Sequence, residues 1–319
     1  MKYRTLGRSP LQVSPLCLGG NVFGWTADEK TSFSILDAWL DAGFNFIDTA
    51  DAYSRWVPGH TGGESEAVIG RWLKQGGRRD KVVIATKVGF DLYNEGKPNL
   101  SPARIRAAAE ESLRRLQVDC IDLYQAHTDD EATPLAASLE AFAELVAQGK
   151  VTAIGASNYS AARLSEALAI SKAQGLPRYE SLQPLYNLYD RATFEKELQP
   201  LCVKEEVGVI SFYALAAGFL SGKYRTQADA SKSPRGANTV KKYLNDRGLK
   251  ILAALDVAAQ RVNSTPARVA VAWVMARPAL AAPIASASNL AQLDELVQAA
   301  RLVLDKETVA LLDRASDES

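Results

Sequence analysis

The chain is predicted to fold as a (β/α)8 TIM barrel with an N-terminal β-hairpin and extra C-terminal helices. Short, mostly apolar runs alternate along its 319 residues with amphipathic helical segments, a pattern typical of βα units that build a parallel sheet. Eight apolar runs are present, and a closed barrel needs eight strands. A hydrophobic content of 47% supplies enough material for one large core, and no linker divides the sequence. We therefore expect residues 1–319 to form a single domain.

The predicted elements begin with a hairpin. Residues 1–14 place a Gly-Arg-Ser-Pro turn between two short alternating pieces, which predicts a β-hairpin that closes the bottom of the barrel. The strands that follow are short and apolar because a barrel strand is covered on both faces. The eight predicted strands are LCLGG (16–20), NFIDTA (45–50), KVVIATKV (81–88), CIDLYQAH (120–127), VTAIGAS (151–157), ESLQPLYN (180–187), VGVISFYAL (207–215) and LAAPIASA (280–287).

Helices are predicted between these strands. In SPARIRAAAEESLRRLQ, Ser101 is the expected N-cap and Pro102 occupies the first turn. One apolar face of this helix is formed by Ile105, Ala108, Ala109, Leu113 and Leu116. The segment TPLAASLEAFAELVAQGK begins with a Thr-Pro signal and ends at Gly149, which fits a C-cap before the next strand. The long Gly- and Ser-bearing connection 216–240, after the seventh strand, is predicted to form a lid.

Strand counting alone leaves two folds open. An open, doubly wound sheet also accommodates eight strands. Dinucleotide-binding sheets of that type carry a GxGxxG turn after the first strand, and this sequence has none there. The closed barrel is therefore the favoured fold.

Composition restricts the partners of the protein. Lys plus Arg and Asp plus Glu number 37 each, and no block of five or six like charges occurs, which argues against a nucleic-acid or polybasic membrane surface. The N-terminus lacks the apolar segment of a signal peptide, and no uninterrupted apolar stretch approaches 18 residues. We expect a cytoplasmic protein that binds a small, neutral molecule and neither nucleic acid nor membrane. Its oligomeric state stays open.

Cysteine and histidine usage disfavours metal chemistry. Cys17, Cys120 and Cys202 lie far apart without a CxxC, as expected of buried free thiols in a reducing compartment. His60 and His127 are the two histidines, and the cysteines lack the spacing of a zinc site. No metal is expected.

Four ionisable residues lie at or just past the ends of apolar runs. The runs NFIDTA, VVIATK and IDLYQAH place Asp48, Lys87 and His127 at strand ends, and Tyr53 follows Asp48 by five residues. These strand ends meet at one rim of a barrel. A tyrosine is a better acid beside a cation, which Lys87 supplies, and Asp48 would keep that lysine charged. With His127 orienting a substrate oxygen, the four predict proton delivery to a carbonyl group.

Each of these residues also has a purely structural interpretation. An Asp at a strand end, such as Asp48 or Asp51, is more often a cap or turn residue. Tyr53 alone would be interpreted as packing, and His127 alone as a satisfied, partly buried side chain. Lys87 differs, because a lysine after VVIAT enters a mostly apolar sheet end. The four residues together, in this order and at strand ends, favour a catalytic site.

The same segments resemble those of the aldo-keto reductase superfamily, and the resemblance spans nearly the whole chain. NFIDTADAYS is similar to the family's segment with Asp and Tyr five residues apart, IATKVG to the segment with the catalytic Lys, and IDLYQAHTDD to that with the catalytic His. The resemblance implies that Tyr53 is the general acid, that Lys87 lowers its pKa and that Asp48 pairs with Lys87. It also implies that His127 positions the carbonyl, while a reduced nicotinamide delivers hydride to the carbonyl carbon.

A nicotinamide site is implied by the same resemblance. Ser157 and Asn158 of GASNYS, with Gln183 of LQPLYN, match positions that bind the carboxamide, and Tyr213 of SFYAL matches an aromatic that stacks on the ring. The structural alternative for Ser157 and Asn158 is a cap on the following helix, and the two roles can coexist. The loop YALAAGFLSGKY resembles the family's pyrophosphate loop, with candidates at Leu215, Gly218, Leu220 and Lys223. The lysine is equally compatible with a solvated surface position.

The adenosine end departs from the family's common pattern. Within PIASASNLAQLDELVQ, the residues that match in kind or position are Ser286, Ser288, Asn289, Gln292 and Glu295. No cation lies between residues 279 and 300, and Leu296 stands where the family commonly has Asn. Arg meets the charge of a 2′-phosphate best, whereas Ser and helix N-terminal amides hold it more weakly. We therefore expect NADPH to be used, with less discrimination against NADH.

The sequence says little about the identity of the substrate. Trp25, Trp56, Phe90 and Tyr93 follow the first three strands and are predicted to form an aromatic wall around the carbonyl, although an aromatic residue is more often ordinary packing. The short tail implies an open pocket that admits bulky polar ketones, sugars or polycyclic compounds besides small aldehydes.

Two other functions remain compatible with the sequence. One is a nicotinamide-binding regulatory subunit, like the channel β-subunits of this superfamily, and the other is a Schiff-base aldolase with Lys87 as nucleophile. The reductase is favoured, because Asp48 beside Lys87 would keep the amine charged.

Overall fold

The computed structural model describes residues 2–90 and 96–317 and shows a barrel of parallel strands surrounded by helices. Before it, β1 (Arg4–Thr5) and β2 (Gln12–Val13) pair antiparallel, which confirms the predicted hairpin. Eight barrel strands occur in the described residues: β3 (Cys17–Gly19), β4 (Phe46–Asp48), β5 (Val83–Val88), β6 (Ile121–Ala126), β7 (Val151–Ser157), β8 (Tyr179–Gln183), β9 (Gly208–Val209) and β10 (Ile284–Ala285).

The sheet runs in the order β10-β3-β4-β5-β6-β7-β8-β9, and every neighbouring pair is parallel. Its two edges are joined by backbone hydrogen bonds. Val209 N–H donates to Ala279 O at 2.8 Å, and Ile284 N–H donates to Ser211 O at 2.7 Å. These bonds close the sheet into the barrel that the sequence predicts.

Residues that alternate along the strands fill the barrel interior. Phe46, Val83, Ala85 and Leu123 belong to one buried cluster with residues of the other strands, as expected when every second side chain points inward. The hairpin covers the N-terminal end of this cluster through Leu6, Leu11 and Val13. The interior is therefore apolar near the bottom, and the next inward positions lie toward the C-terminal ends of the strands.

Helices pack outside the strands and form a second, larger apolar layer. Their bounds are α1 (Glu29–Asp41), α2 (Glu64–Leu73), α3 (Pro102–Leu116), α4 (Leu135–Ala147), α5 (Ala161–Gln174), α6 (Gln199–Glu205), α7 (Gly236–Tyr243), α8 (Asp246–Arg261), α9 (Pro266–Met275), α10 (Leu290–Ala299) and α11 (Lys306–Ser316). Short 3-10 turns cover Arg79–Lys81, Ala216–Ser221 and Gln227–Lys232, and a π turn covers Phe194–Leu198. The last helix, α11, packs on α8, which supplies the extra C-terminal layer.

Local signals place these helices well. Ser101 caps α3 by accepting a hydrogen bond from Arg104 N–H, and all five residues of the predicted apolar face are buried. Gly149 has a φ of +70°, the left-handed conformation expected just after a helix end.

One expectation about the last units needs correction. The predicted strands 207–215 and 280–287 are mostly irregular, because β9 and β10 comprise two residues each. The connection 216–240, predicted to form a lid, holds two 3-10 turns and the first half of α7. A capping box between Thr226 and Asp229 fixes the second of these turns.

Within residues 2–90 and 96–317, no helix combines the length and the apolar character needed to cross a bilayer.

Candidate active site

Polar side chains occupy the upper interior of the barrel, at the C-terminal ends of β4, β5, β6 and β8. Lys87 lies two residues after Ala85, so the alternation that buries Ala85 also turns Lys87 inward. Lys87 is paired in register with Gln125 on the neighbouring strand. Asp48 ends β4 and Gln183 ends β8. The four side chains are almost completely buried and meet inside the barrel.

The ammonium group of Lys87 is the centre of this arrangement. Its Nζ donates hydrogen bonds to Asp48 Oδ2 at 2.6 Å, to Thr49 O at 2.8 Å and to Tyr53 Oη at 2.8 Å. An ammonium group has three protons, so every one of them has an acceptor. Burial lowers the pKa of Lys87, while Asp48 opposes that shift.

Tyr53 bonds to both members of this ion pair. Its hydroxyl accepts from Lys87 Nζ and donates to Asp48 Oδ2 at 3.1 Å. Burial and the Asp48 carboxylate raise the pKa of Tyr53 well above its ordinary value. This net direction is opposite to that expected from Lys87 alone. The phenol is therefore neutral and holds its proton.

The second carboxylate oxygen of Asp48 is bound by two amides. Gln183 Nε2 donates to Asp48 Oδ1 at 2.9 Å, and Gln125 Nε2 donates to it at 3.4 Å. Because a carboxylate only accepts, both amides present nitrogen to Asp48. Gln125 was missed from the sequence, although a glutamine inside the apolar run IDLYQAH is a visible signal of a polar partner.

His127 follows β6 and lies beside Tyr53. Their ring centroids are 6.0 Å apart in an edge-to-face arrangement, and the Phe90 ring lies 4.7 Å from the His127 ring. The Nδ1 atom is buried and has no hydrogen-bond partner in the described part of the chain. Burial first, and the charge of Lys87 second, lower the pKa of His127 well below its ordinary value. The imidazole is therefore neutral.

Aromatic rings extend from this centre toward the surface. Trp56 lies 6.0 Å from Tyr53, Trp25 lies 5.6 Å from Trp56, and Phe90 adjoins His127. Trp56 is 50% exposed, which is unusual for a ring of its size. The guanidinium of Arg235 stacks 5.1 Å from the Trp25 ring, a contact between distant loops that the sequence does not reveal. The predicted substrate residue Tyr93 lies outside the described residues.

The residues predicted to hold a carboxamide form a second group beside Asp48. Ser157 Oγ donates to Gln183 O at 2.8 Å, and Asn158 Nδ2 donates to Ser157 Oγ and to His127 O at 3.1 and 2.9 Å. Neither Ser157 nor Asn158 caps α5, because Ser160 does so by accepting from Arg163 N–H. The alternative of a capping role for Ser157 and Asn158 is therefore wrong.

Tyr213 stands at the edge of this group. It is 43% exposed and adopts a φ of +59°, which is uncommon for a bulky residue. Its backbone oxygen accepts a hydrogen bond from Asn187 Nδ2 at 3.1 Å. An aromatic face held open by its backbone is suited to stacking on a flat ligand.

The turn after Tyr213 is compact. The N–H groups of Gly218 and Leu220 both donate to Leu215 O, at 2.8 and 3.2 Å, so these two donors are engaged within the turn. Gly218 has a φ of +91° and lies under Lys223, whose Nζ would be 3.1 Å from an added Cβ. Lys223 is exposed and lies over the Tyr224 ring. Its ammonium is the cation that this turn presents.

The residues predicted for the adenosine end bind one another or neighbouring elements. Ser288 N–H and Oγ both donate to Gln292 Oε1, at 2.9 and 3.1 Å, and Asn289 caps α10. Ser286 Oγ donates to Asn21 Oδ1 at 2.6 Å. An added Cβ at Gly19 would be 2.5 Å from Ser286 Oγ, so this approach requires glycine.

A cation also reaches this region from a different element. Glu295 accepts hydrogen bonds from Thr265 Oγ1 at 2.6 Å and from Arg268 Nη2 at 2.5 Å. Arg268 belongs to α9 and therefore lies outside residues 279–300, the segment in which the sequence shows no cation. Its charge is balanced by Glu295.

A buried ionic cluster lies outside the barrel, between β5 and the helices α2 and α3. Asp51 Oδ2 accepts from Arg104 Nη2 at 2.7 Å, and Glu66 Oε2 accepts from Arg115 Nε at 2.7 Å. Burial and the nearby Glu66 raise the pKa of Asp51 to about 7, against the opposing charges of both arginines. The 2.7 Å contact makes Asp51 the buried partner of Arg104 and not the simple turn residue that its position suggests.

No group of three or more His, Cys, Asp or Glu side chains in the described part of the chain has an arrangement that could hold a metal ion.

Comparison with known proteins accounts for this combination of barrel and site. A family model described as "Aldo/keto reductase family" matches residues 15–317. The chain belongs to the aldo/keto reductase family. Among relatives of this aldo/keto reductase, "Uncharacterized oxidoreductase YrpG" of Bacillus subtilis is 40% identical over 322 residues, covering 98% of this chain and 95% of its own. "Protein tas" of Escherichia coli is 32% identical (98% and 97% covered), and "Aldo-keto reductase YhdN" of Bacillus subtilis is 31% identical (96% and 91% covered).

Proposed function

We propose that this aldo/keto reductase reduces aldehydes or ketones to alcohols with a nicotinamide cofactor, and that Tyr53 is the general acid. One observation carries the proposal: a single buried ammonium, Lys87 Nζ, bonds both the hydroxyl of Tyr53 and the carboxylate of Asp48. A phenol in this position can release its proton only where a positive charge stabilises the phenolate that forms.

Each side chain has a separate task in this proposal. Tyr53 holds a proton on Oη and donates it to the carbonyl oxygen. Lys87 keeps its hydrogen bond to Oη, which strengthens as negative charge develops there. Asp48 keeps Lys87 charged and in place. The pKa of His127 is lowered, so its ring is neutral and is a poor source of protons for the substrate. The ring instead orients the carbonyl oxygen by donating a hydrogen bond.

The polar groups beside Asp48 fit a nicotinamide carboxamide. Asn158 uses Nδ2 on Ser157 and His127, and Gln183 uses Nε2 on Asp48 and Gln125. Each amide therefore has its oxygen left without a partner among the described residues. Two free acceptors match the two N–H groups of a carboxamide. With Tyr213 against the ring, a reduced nicotinamide would supply the hydride for the carbonyl carbon.

The cofactor is proposed to be NADPH, with NADH also accepted. Lys223 and the α10 N-terminus are the groups proposed to meet the phosphates. Ser286, Ser288 and Gln292 would contribute by exchanging their present hydrogen bonds, to Asn21 and to one another, for phosphate oxygens. Arg268 is already paired with Glu295, so it provides little uncompensated charge for a 2′-phosphate. Modest discrimination between the two dinucleotides follows from this arrangement.

The Schiff-base alternative receives no support from the geometry. A nucleophilic amine needs a lone pair, and the three acceptors around Lys87 Nζ engage three protons.

The proposal is tested by titrating the tryptophan fluorescence with NADPH and with NADH, and then following nicotinamide absorbance with butanal, benzaldehyde, cyclohexanecarbaldehyde and acetophenone. We expect saturable binding of both dinucleotides, tighter for NADPH, and turnover of at least one carbonyl compound. Binding without turnover across a wider panel would favour a regulatory subunit, and the absence of dinucleotide binding would contradict the proposal.

A further inference from the structure

The loop that carries Tyr53 is anchored from outside the barrel. Asp51 lies three residues after Asp48 and two before Tyr53, and its carboxylate accepts from Arg104 at 2.7 Å. Asp51 is fully buried and Arg104 is 8% exposed. Replacing such a pair by apolar residues is often neutral or stabilising in proteins. Its presence here therefore calls for an explanation other than stability.

Backbone contacts show what this pair holds in place. Asp51 N–H donates to Lys87 O at 3.3 Å, and Thr49 O accepts from Lys87 Nζ at 2.8 Å. The loop thus meets Lys87 twice before it reaches Tyr53, whose hydroxyl bonds to the same Nζ. A shift at Asp51 would move the segment that sets the distance between Tyr53 Oη and Lys87 Nζ.

The helix that carries Arg104 is itself linked to its neighbours by polar contacts. Arg104 extends from α3, which is joined to α2 by the Arg115–Glu66 ion pair. Glu66 Oε1 also accepts from Thr86 Oγ1 at 2.5 Å, one residue before Lys87. Two helices and β5 are therefore tied together around the point where Asp51 is held.

We propose that Asp51 is a positioning residue for the reduction: through Arg104 it holds the loop so that Tyr53 stays bonded to Lys87 and Asp48. The inference rests on the proposed function and goes beyond it by giving a role to a residue that does not touch the reacting groups. Arg104 donates to one oxygen of Asp51, so the acceptor atom is what the geometry uses. An asparagine would preserve it, and an alanine would remove it.

The test compares Asp51→Ala, Arg104→Met and the conservative Asp51→Asn, with NADPH and the carbonyl compound that wild type reduces fastest, and kcat is expressed per NADPH-binding site. The expected result is a fall in kcat of about 10- to 100-fold in the first two variants, because small misplacements of a catalytic group have effects of this size. KM for the carbonyl compound and Kd for NADPH should change less than about threefold, and Asp51→Asn should retain most of kcat. Unchanged kcat per binding site in both disruptive variants would overturn the proposal.

A second comparison asks whether Asp51 acts through Tyr53. In a Tyr53→Phe background, Asp51→Ala should leave the residual rate nearly unchanged, since the group it positions is absent. The same fractional loss in both backgrounds would contradict the proposal. The double variant Asp51→Ala/Arg104→Met should match Asp51→Ala alone.

A readout without turnover separates this inference from the proposed function. In protein with 13Cζ-labelled tyrosine, the resonance that disappears in Tyr53→Phe should shift in Asp51→Ala and remain in place in Asp51→Asn. An unmoved resonance in Asp51→Ala would overturn the positioning role. A wild-type protein that reduces no carbonyl compound would instead count against the proposed function.

Discussion

Gln183 Nε2 donates a 2.9 Å hydrogen bond to Asp48 Oδ1 across 135 residues of sequence. One side chain therefore contacts the carboxylate that holds Lys87, and its own oxygen has no partner among the described residues. Groups proposed to bind the nicotinamide and to deliver the proton consequently share a hydrogen-bond network. A substitution in one of these groups should therefore affect both cofactor binding and the rate of reduction.

Gln183→Leu should weaken cofactor binding and lower kcat together. The substitution removes the free acceptor and also a donor to buried Asp48, and one hydrogen bond of this kind contributes about 1 kcal/mol, or roughly fivefold. We expect Kd for NADPH to rise by about that factor or more, as measured by fluorescence titration. Ser181→Ala is the matched control, because Ser181 lies one inward position lower on β8 and its Oγ has no partner in the described residues. Equal effects at both positions would contradict the prediction.

Lys87→Met should reduce both activity and stability. It leaves the Asp48 carboxylate buried opposite an apolar chain, and breaking a buried pair in this way costs about 3–5 kcal/mol. Urea unfolding measures the loss. The double variant Asp48→Asn/Lys87→Met should regain a large part of it, since no charge is then left unpaired. Failure of the double variant to regain stability would mean that the loss reflects packing alone.

Burial of neutral His127 should make the protein less stable in mild acid. Because its folded pKa is depressed, the unfolded chain binds more protons below pH 6.5, so the free energy of unfolding falls as pH drops below that value. The contribution is about 1.4 kcal/mol per pH unit at most. His127→Gln should lose this part of the pH dependence. In proton NMR, the imidazole signal absent from that variant should keep its neutral position through pH 6.5, and titration near 6.5 would contradict the assignment.

Trp56 should favour flat substrates. Its half-exposed ring lies edge-on to Tyr53, next to the place proposed for the carbonyl. Trp56→Leu should lower kcat/KM for benzaldehyde by about 3- to 10-fold, which corresponds to the energy of one aromatic contact. Cyclohexanecarbaldehyde, of similar size but without a flat ring, should be affected less, and butanal least. A uniform loss over the three aldehydes would contradict a stacking role.

The residues of the candidate site that depend on local pattern could be predicted from the sequence. Asp48, Lys87 and His127 stand at strand ends, where alternation and strand order determine the direction of a side chain and its neighbours. The barrel followed from the same periodicity. Strands β9 and β10 were predicted too long because apolar runs mark burial and do not show where ladder pairing stops.

Contacts made across distant segments were not predicted. Three such contacts join elements whose relative placement only the folded chain defines. They are Gln125 with Asp48, Arg268 with Glu295, and Arg104 with Asp51. The raised pKa of Tyr53 was not predicted for a related reason. Burial depends on everything packed around a group, so one neighbouring cation does not determine the direction of the pKa shift.

The most direct test of the account is a single-turnover reaction of wild type and Tyr53→Phe with NADPH deuterated at C4, using the carbonyl compound that wild type reduces fastest. We predict deuterium on the alcohol carbon in wild type, and in Tyr53→Phe an unchanged Kd for NADPH with a rate lower by about 10²- to 10⁴-fold, the contribution typical of a general acid. An undiminished rate in Tyr53→Phe, or an alcohol without deuterium when both C4 epimers are tested, would contradict the central claim.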